Sequence, residues 1–239
     1  MTPDLALGMA IAACAGLMRG FAGVGSGMLM APFFAHLYGP APTVGIIILM
    51  EVVVTAQLLP STHRLIQWRT IAPMGAAAAL AMPVGNWLLP RIEVAALQFG
   101  IAALVTLTAV LLLTGWRYDG RKPLAATLGI GAASGVLMSL TSLGNPPVMF
   151  YLLSSRDDAA TNRANFTGYF AVTLAALIAV KLAAGQITGD IVTTAALLLP
   201  GFVLAVWIGA KLFRKSNETL YRRVALTILL AAGGYGMLR

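Results

Sequence analysis

Gly16-Leu-Met-Arg19-Gly20-Phe-Ala-Gly23-Val-Gly25-Ser26-Gly27-Met-Leu-Met-Ala-Pro32 is a glycine-dense turn carrying one arginine between two apolar runs. Neither run is long enough to cross a membrane comfortably alone, since a span needs roughly 20 residues. The design returns at Gly135-Val-Leu-Met-Ser-Leu-Thr141-Ser142-Leu-Gly144-Asn145-Pro146-Pro147-Val-Met-Phe-Tyr151. A constant offset of 119 carries Gly16 onto Gly135 and Gly25 onto Gly144. These read as two copies of one broken-helix element that together build a binding site inside the bilayer.

The surrounding composition fits that solvent. The chain has 239 residues, of which 59% are hydrophobic and 10% charged. Soluble domains carry about 25% charged residues, so this chain has too little polar surface to be solvated by water. A net charge of +8, from 16 basic and 8 acidic residues, would suggest nucleic acid in a soluble protein. In a membrane protein it marks basic loops that face anionic lipid, so a lipid bilayer and not a nucleic acid is the expected partner. The single cysteine, Cys14, lies in an apolar run and offers neither an internal disulfide nor a cysteine metal cluster. No metal and no cofactor is expected. Asp4 and the lack of Lys or Arg ahead of the first apolar run argue against a cleaved signal peptide.

Apolar runs fall at 5–18, 28–38, 42–60, 71–89 and 94–115, and after a charged linker at 124–140, 146–154, 164–184, 191–213 and 220–238. The runs 5–18 and 28–38 are expected to be half-helices that dip to mid-bilayer and return. The pair 124–140 and 146–154 is read the same way, and the other six runs as full spans. Pro60, Pro73, Pro83, Pro90 and Pro200 mark span ends or kinks. If the short pairs return to the side they came from, twelve of the sixteen basic residues share one face, in loops 61–70, 116–123, 155–163 and 211–223. Only Arg91 and Arg239 face the other way. Letting each pair cross once splits the same residues six and eight, so the positive-inside rule selects the first arrangement, with both termini extracytoplasmic.

Half one then begins outside and half two inside, with the same order of elements. The expected fold is an all-α polytopic membrane protein of two inverted repeats, each a broken or re-entrant helical hairpin plus three full spans. The halves are 1–116 and 124–239, joined by a cytoplasmic linker at 117–123. Gly85-Asn-Trp-Leu88 and Gly209-Ala-Lys-Leu212, 124 residues apart, echo the repeat. Inverted repeats with discontinuous helices at the midplane are a transporter architecture.

Both glycine/proline-rich motifs resemble signatures of the sulfite exporter TauE/SafE family, also called the toluene-sulfonate uptake permease family. Gly20-Phe-Ala-Gly23-Val-Gly25-Ser26-Gly27-Met-Leu-Met-Ala-Pro32 resembles the first, a glycine run before an apolar segment ending in proline. Gly144-Asn145-Pro146-Pro147-Val-Met-Phe-Tyr151 resembles the second, Gly-x-Pro-Pro before an apolar segment. Ser26 and Asn145 depart from the commonest pattern, which has glycine there. The resemblance covers nearly the whole chain. It implies movement of sulfite, sulfonates or other small organic anions, in the cell inner membrane.

A half-helix beginning at mid-membrane exposes unpaired amides and the positive end of its dipole, which favours an anion. The Gly25-Ser26-Gly27 turn is expected to open a helix at 28 with Ser26 as N-cap. The Gly144-Asn145 turn opens one at 146, with Asn145 as cap and Pro146 or Pro147 in the first turn, where no donor is lost. Arg19, Gly23, Gly25, Ser26 and Gly27 therefore form one wall of the expected substrate site. Thr141, Ser142, Gly144, Asn145 and Pro146 form the other. The competing role for the glycines is close helix packing. Arg19, the one basic residue expected at a re-entrant tip, offers a planar fork suited to a sulfonate or carboxylate. Its structural alternative is a pair with Glu51 or a cap on the carbonyls of helix 5–18. Glu51 lies near the middle of run 42–60, with Phe170 at its repeat position, and is a candidate carrier for a coupling proton. Gln57 and Asn165 are weaker candidates for the pocket. The alternative role of Thr141, Ser142 and Asn165 is to serve the free carbonyls of the broken helix.

These features point to a secondary transporter of small organic or inorganic anions, with export of sulfite or a sulfonate as the expectation from the resemblance. An anion channel of the same architecture and an uptake permease for carboxylates are the alternatives. The scarcity of His, Asp and Cys argues against an enzyme embedded in the membrane. No ATP-binding motif is present, so an ion gradient or the membrane potential must drive transport.

Overall fold

A computed structural model describes residues 3–88, 91, 110, 123–141, 146–183, 185–217, 219–221, 223, 224 and 227. Eight α-helices run through these residues: α1 Pro3–Ala22, α2 Ser26–Tyr38, α3 Pro40–Thr62, α4 Trp68–Leu88, α5 Leu124–Thr141, α6 Pro146–Leu153, α7 Ala159–Ala183 and α8 Gly189–Arg214. A single 3-10 turn, His63–Leu65, links α3 to α4. The expected spans 94–115 and 220–238, and the linker 117–123 apart from its last residue, lie outside the described residues, save isolated positions.

Helices α3, α7 and α8 match the expected spans 42–60, 164–184 and 191–213 to within a few residues and are apolar enough to cross, while α4 lies at the expected span 71–89 but is not among the helices apolar enough to cross. The first helix does not match. α1 has 20 residues and therefore rises about 30 Å, a full bilayer core. It is one of four helices among the described residues that are long and apolar enough to cross. The half-helix expected over 5–18 stopped at Arg19. The helix continues because that charge is neutralised within the fold, and Phe21 and Ala22 extend the apolar run. α2, with 13 residues, remains too short to cross alone, as does α6 with 8. α5 has 18.

Small residues decide which helices meet. The longest packing seams join α1 to α8 and α4 to α5, while α3 and α7 meet each other and brace the pairs. A β-carbon on Gly16 would fall within 3.0 Å of the Phe202 carbonyl, and one on Gly209 within 3.0 Å of the Leu17 carbonyl. In the other seam, Gly135 meets the Ala78 carbonyl and Gly85 the Val136 carbonyl just as closely. The second set is the first with roles exchanged: Gly16 and Gly135, like Leu17 and Val136, are 119 apart, while Ala78 and Phe202, like Gly85 and Gly209, are 124 apart. Backbone contact of this kind is how helices associate where the hydrophobic effect gives no drive.

Two buried clusters fill the interior. One draws Met74, Met82, Met138, Val148, Met149, Phe166 and Phe170 around Ala22 and Val24 of the first turn. The other joins Met30, Phe34, Met50, Leu198 and Phe202. The outside is apolar as well: Leu80 is 81% exposed and Leu204 57%, as befits side chains that meet lipid rather than water. Trp68 and Trp87 are exposed at the two ends of α4, where interfacial anchors sit.

Candidate functional site

Gly23 and Gly25 adopt φ of +80° and +97°, left-handed conformations that a β-carbon would penalise by roughly 1–2 kcal/mol. Together they turn the chain sharply from α1 into α2. Ser26 is the first helical residue, and Gly25, not Ser26, is the N-cap. The expected Ser26 cap and the expected helix start at 28 are thus both corrected. The Ser26 hydroxyl donates to Glu51 Oε1 instead, and no side-chain cap bond closes the start of α2. The α2 ladder begins with the Leu29 amide on the Gly25 carbonyl at 3.0 Å, so the first-turn amides of Ser26, Gly27 and Met28 are not used by it.

Arg19, in the last turn of α1, is fully buried. Its Nε donates to Glu51 Oε2 at 2.9 Å, its Nη2 to Thr55 Oγ1 at 3.1 Å and its Nη1 to the Gly23 carbonyl. The guanidinium lies 4.5 Å over the ring of Phe170. Glu51 and Thr55 are four residues apart on α3, hence on one face. Of the two structural alternatives for Arg19, the pair with Glu51 is realised, whereas the carbonyl it holds is that of Gly23 in the turn beyond α1, not one of helix 5–18. Buried in the protein, either charge alone would be costly, and together they cancel.

Beside the pair lies a cavity of about 30 Å³, room for a water or two where one needs about 10–15 Å³. Gly25, Gly27 and Met28 of the α2 start form one side, and Ile47, Ile48 and Glu51 of α3 another. Met138 of α5 and Phe170, Leu174 and Leu177 of α7 close it. Glu51 is the only ionisable group in this lining. Glu51 and Phe170, 119 residues apart in sequence, thus share one cavity.

The other expected site residues divide. Of the glycines near the motif, Gly16 and Gly20 serve packing, Gly20 lying hard against the Val206 carbonyl, whereas Gly25 and Gly27 face the cavity. Thr141 is the last described residue of α5 and Pro146 the first of α6, and the expected second break falls between them, outside the described residues. Ser142, Gly144 and Asn145 lie outside the described residues. Gln57 points a buried carbonyl oxygen at no hydrogen-bond partner and does not line the cavity. Asn165 is fully buried, but its amide is engaged with Gln67: Oδ1 accepts from the Gln67 backbone N–H at 2.8 Å and Nδ2 donates to Gln67 Oε1 at 3.3 Å. Gln67 in turn donates to Asp157 at 2.9 Å, so Asn165 fastens the α3–α4 turn to the start of α7.

Two residues escaped the sequence reading. Thr55 was legible only as the residue one turn past Glu51. Arg163, expected in the basic loop 155–163, is instead in the second turn of α7 and 7% exposed, with Nε donating to the Gly20 carbonyl at 3.0 Å.

No curated protein and no solved structure matches the chain. A family profile does: that of the sulfite exporter TauE/SafE family matches residues 8–236, which includes both glycine/proline-rich motifs, the Arg19–Glu51 pair and the cavity beside it. By that match the chain belongs to the sulfite exporter TauE/SafE family of membrane transporters.

Proposed function

We propose that this chain is a secondary transporter of a small oxyanion of the sulfite or sulfonate class, and that the Glu51 carboxylate holds the place the anion takes. One observation carries the reading. The two carboxylate oxygens receive Arg19 on one side and Ser26 on the other, beside the first-turn amides of α2 and on the wall of the cavity. Those are the donors a sulfite or sulfonate needs: a guanidinium, a hydroxyl and a helix N-terminus. While Glu51 is ionised, an incoming anion is repelled and its donors are occupied. A proton on Glu51 removes the repulsion and releases Arg19 and Ser26. Anion and proton are then bound, and carried, together, with direction set by their gradients.

The exchange of roles between the two glycine seams supports a two-fold relation between residues 1–116 and 124–239. With α1 and α2 taken together as one pair that returns to the side it entered, whatever the length of α1 alone, the crowding of basic residues in alternate loops favours inverted repeats with both termini extracytoplasmic and the basic face in the cytoplasm. On this reading the halves rock about α3 and α7, exposing the cavity to each side in turn. Reconstituted vesicles with an internal pH dye test the coupling. Inward movement of methanesulfonate is expected to acidify the lumen with wild type. With Glu51→Gln, exchange is expected to persist without acidification. Equal acidification by Glu51→Gln and wild type would remove Glu51 from proton coupling.

A further inference from the structure

Arg163 is buried, yet no carboxylate among the described residues pairs with it. Its Nε serves the Gly20 carbonyl at 3.0 Å, its guanidinium lies 5.0 Å over the ring of Phe213, and its Nη2 is buried with no hydrogen-bond partner. A buried donor of a charged group left without an acceptor is expensive and rare. Capping the C-terminal carbonyls of α1 accounts for Nε, but any cation would do that, and it leaves the outer edge of the fork unexplained.

The position of Arg163 suggests what that edge takes. Arg163 packs against Gly23, the left-handed residue of the α1–α2 turn, and holds the Gly20 carbonyl, while Arg19 holds the Gly23 carbonyl. The two guanidiniums therefore grip one turn from two sides. On the far side of Arg163, Phe213 and Tyr221 pack edge to face at 5.6 Å, and beyond them Arg214 and Lys215 are exposed at the end of α8. Positive charge thus continues from exposed Arg214 and Lys215, through buried Arg163, to fully buried Arg19. Only the last has a carboxylate to neutralise it among these contacts.

We propose that Arg163 is a second binding station for an oxyanion, on the route between the basic end of α8 and the Arg19 site, with the free edge of its guanidinium as the anion's fork. This rests on reading the Arg19 site as an anion site. The test is the stoichiometry of sulfite binding to the purified full-length chain by titration calorimetry. Wild type is expected to bind two sulfites per chain, Arg163→Gln one, and the pair-removing variant Arg19→Gln/Glu51→Gln one. A single wild-type site that survives Arg163→Gln but not Arg19→Gln/Glu51→Gln overturns the second station and leaves the Arg19 reading intact. No sulfite bound by wild type overturns both. Should Arg163→Gln fail to fold, Arg163→Lys, which keeps the charge and the cap, replaces it. Weakening of one of two sites by about tenfold or more, as the loss of a charge-assisted fork gives, supports the station, and two sites of unchanged affinity overturn it.

Discussion

Arg19 and Glu51 were legible as a unit because a lone charge in an apolar run must find its opposite or a cavity. What the chain alone did not reveal is that Glu51 also takes the Ser26 hydroxyl, which moves Ser26 from cap to ligand. Arg163 was illegible for a different reason. Whether it belongs to a loop or a helix depends on where α7 starts, and that is set by Asp158, whose carboxylate accepts the Thr161 amide at 2.7 Å. Buried-pair physics gives a direct prediction. Arg19→Met strands a buried carboxylate and should cost about 3–5 kcal/mol, whereas Arg19→Met/Glu51→Met, which removes both charges, should recover most of that. Thermal melting in detergent checks it, with sulfite binding absent in both variants. A double variant as unstable as the single would mean that the charges are not each other's main support.

Among the elements, the first break was readable from glycine, but its helix lengths were not. The end of an apolar run was taken for the end of a helix, and α1 runs on through Arg19 to Ala22 because its charge is paired in three dimensions. The glycines likewise carried two roles that composition cannot separate. Gly25→Ala should lower stability by about 1–2 kcal/mol, since its φ is left-handed at +97°. Gly16→Ala and Gly135→Ala should each cost about 1–3 kcal/mol, because the added carbon meets backbone that cannot swing aside. Gly129→Ala, whose β-carbon meets nothing within 4 Å, should be neutral or stabilising by up to about 1 kcal/mol. The same melting series ranks all four. Equal effects at Gly16, Gly135 and Gly129 would contradict the seams.

For the whole molecule, composition announced the bilayer, and the offset of 119 recurs in the glycine contacts of the two seams. The pairing of α1 with α8 and of α4 with α5 was not readable, because each seam joins residues far apart in sequence through backbone contacts. Moving Arg163 from loop to interior removes one cation from the basic face but does not alter the preferred topology. That topology predicts labelling. In a Cys14→Ala background, a membrane-impermeant maleimide should reach Gln186→Cys in intact cells. It should reach Arg64→Cys and Lys215→Cys only after permeabilisation. Reversed labelling would invert the orientation, and labelling of all three in intact cells would contradict it.

The claim at the centre is that a carboxylate occupies the anion's seat until it is protonated. Its most direct test is the affinity for methanesulfonate, which stays ionised throughout, measured at about pH 5 and about pH 8 on wild type and Glu51→Gln. Wild type should bind about tenfold or more tightly at the lower pH, and Glu51→Gln should bind tightly at both. Wild-type affinity that is flat with pH, or a Glu51→Gln protein that no longer binds methanesulfonate, would contradict it.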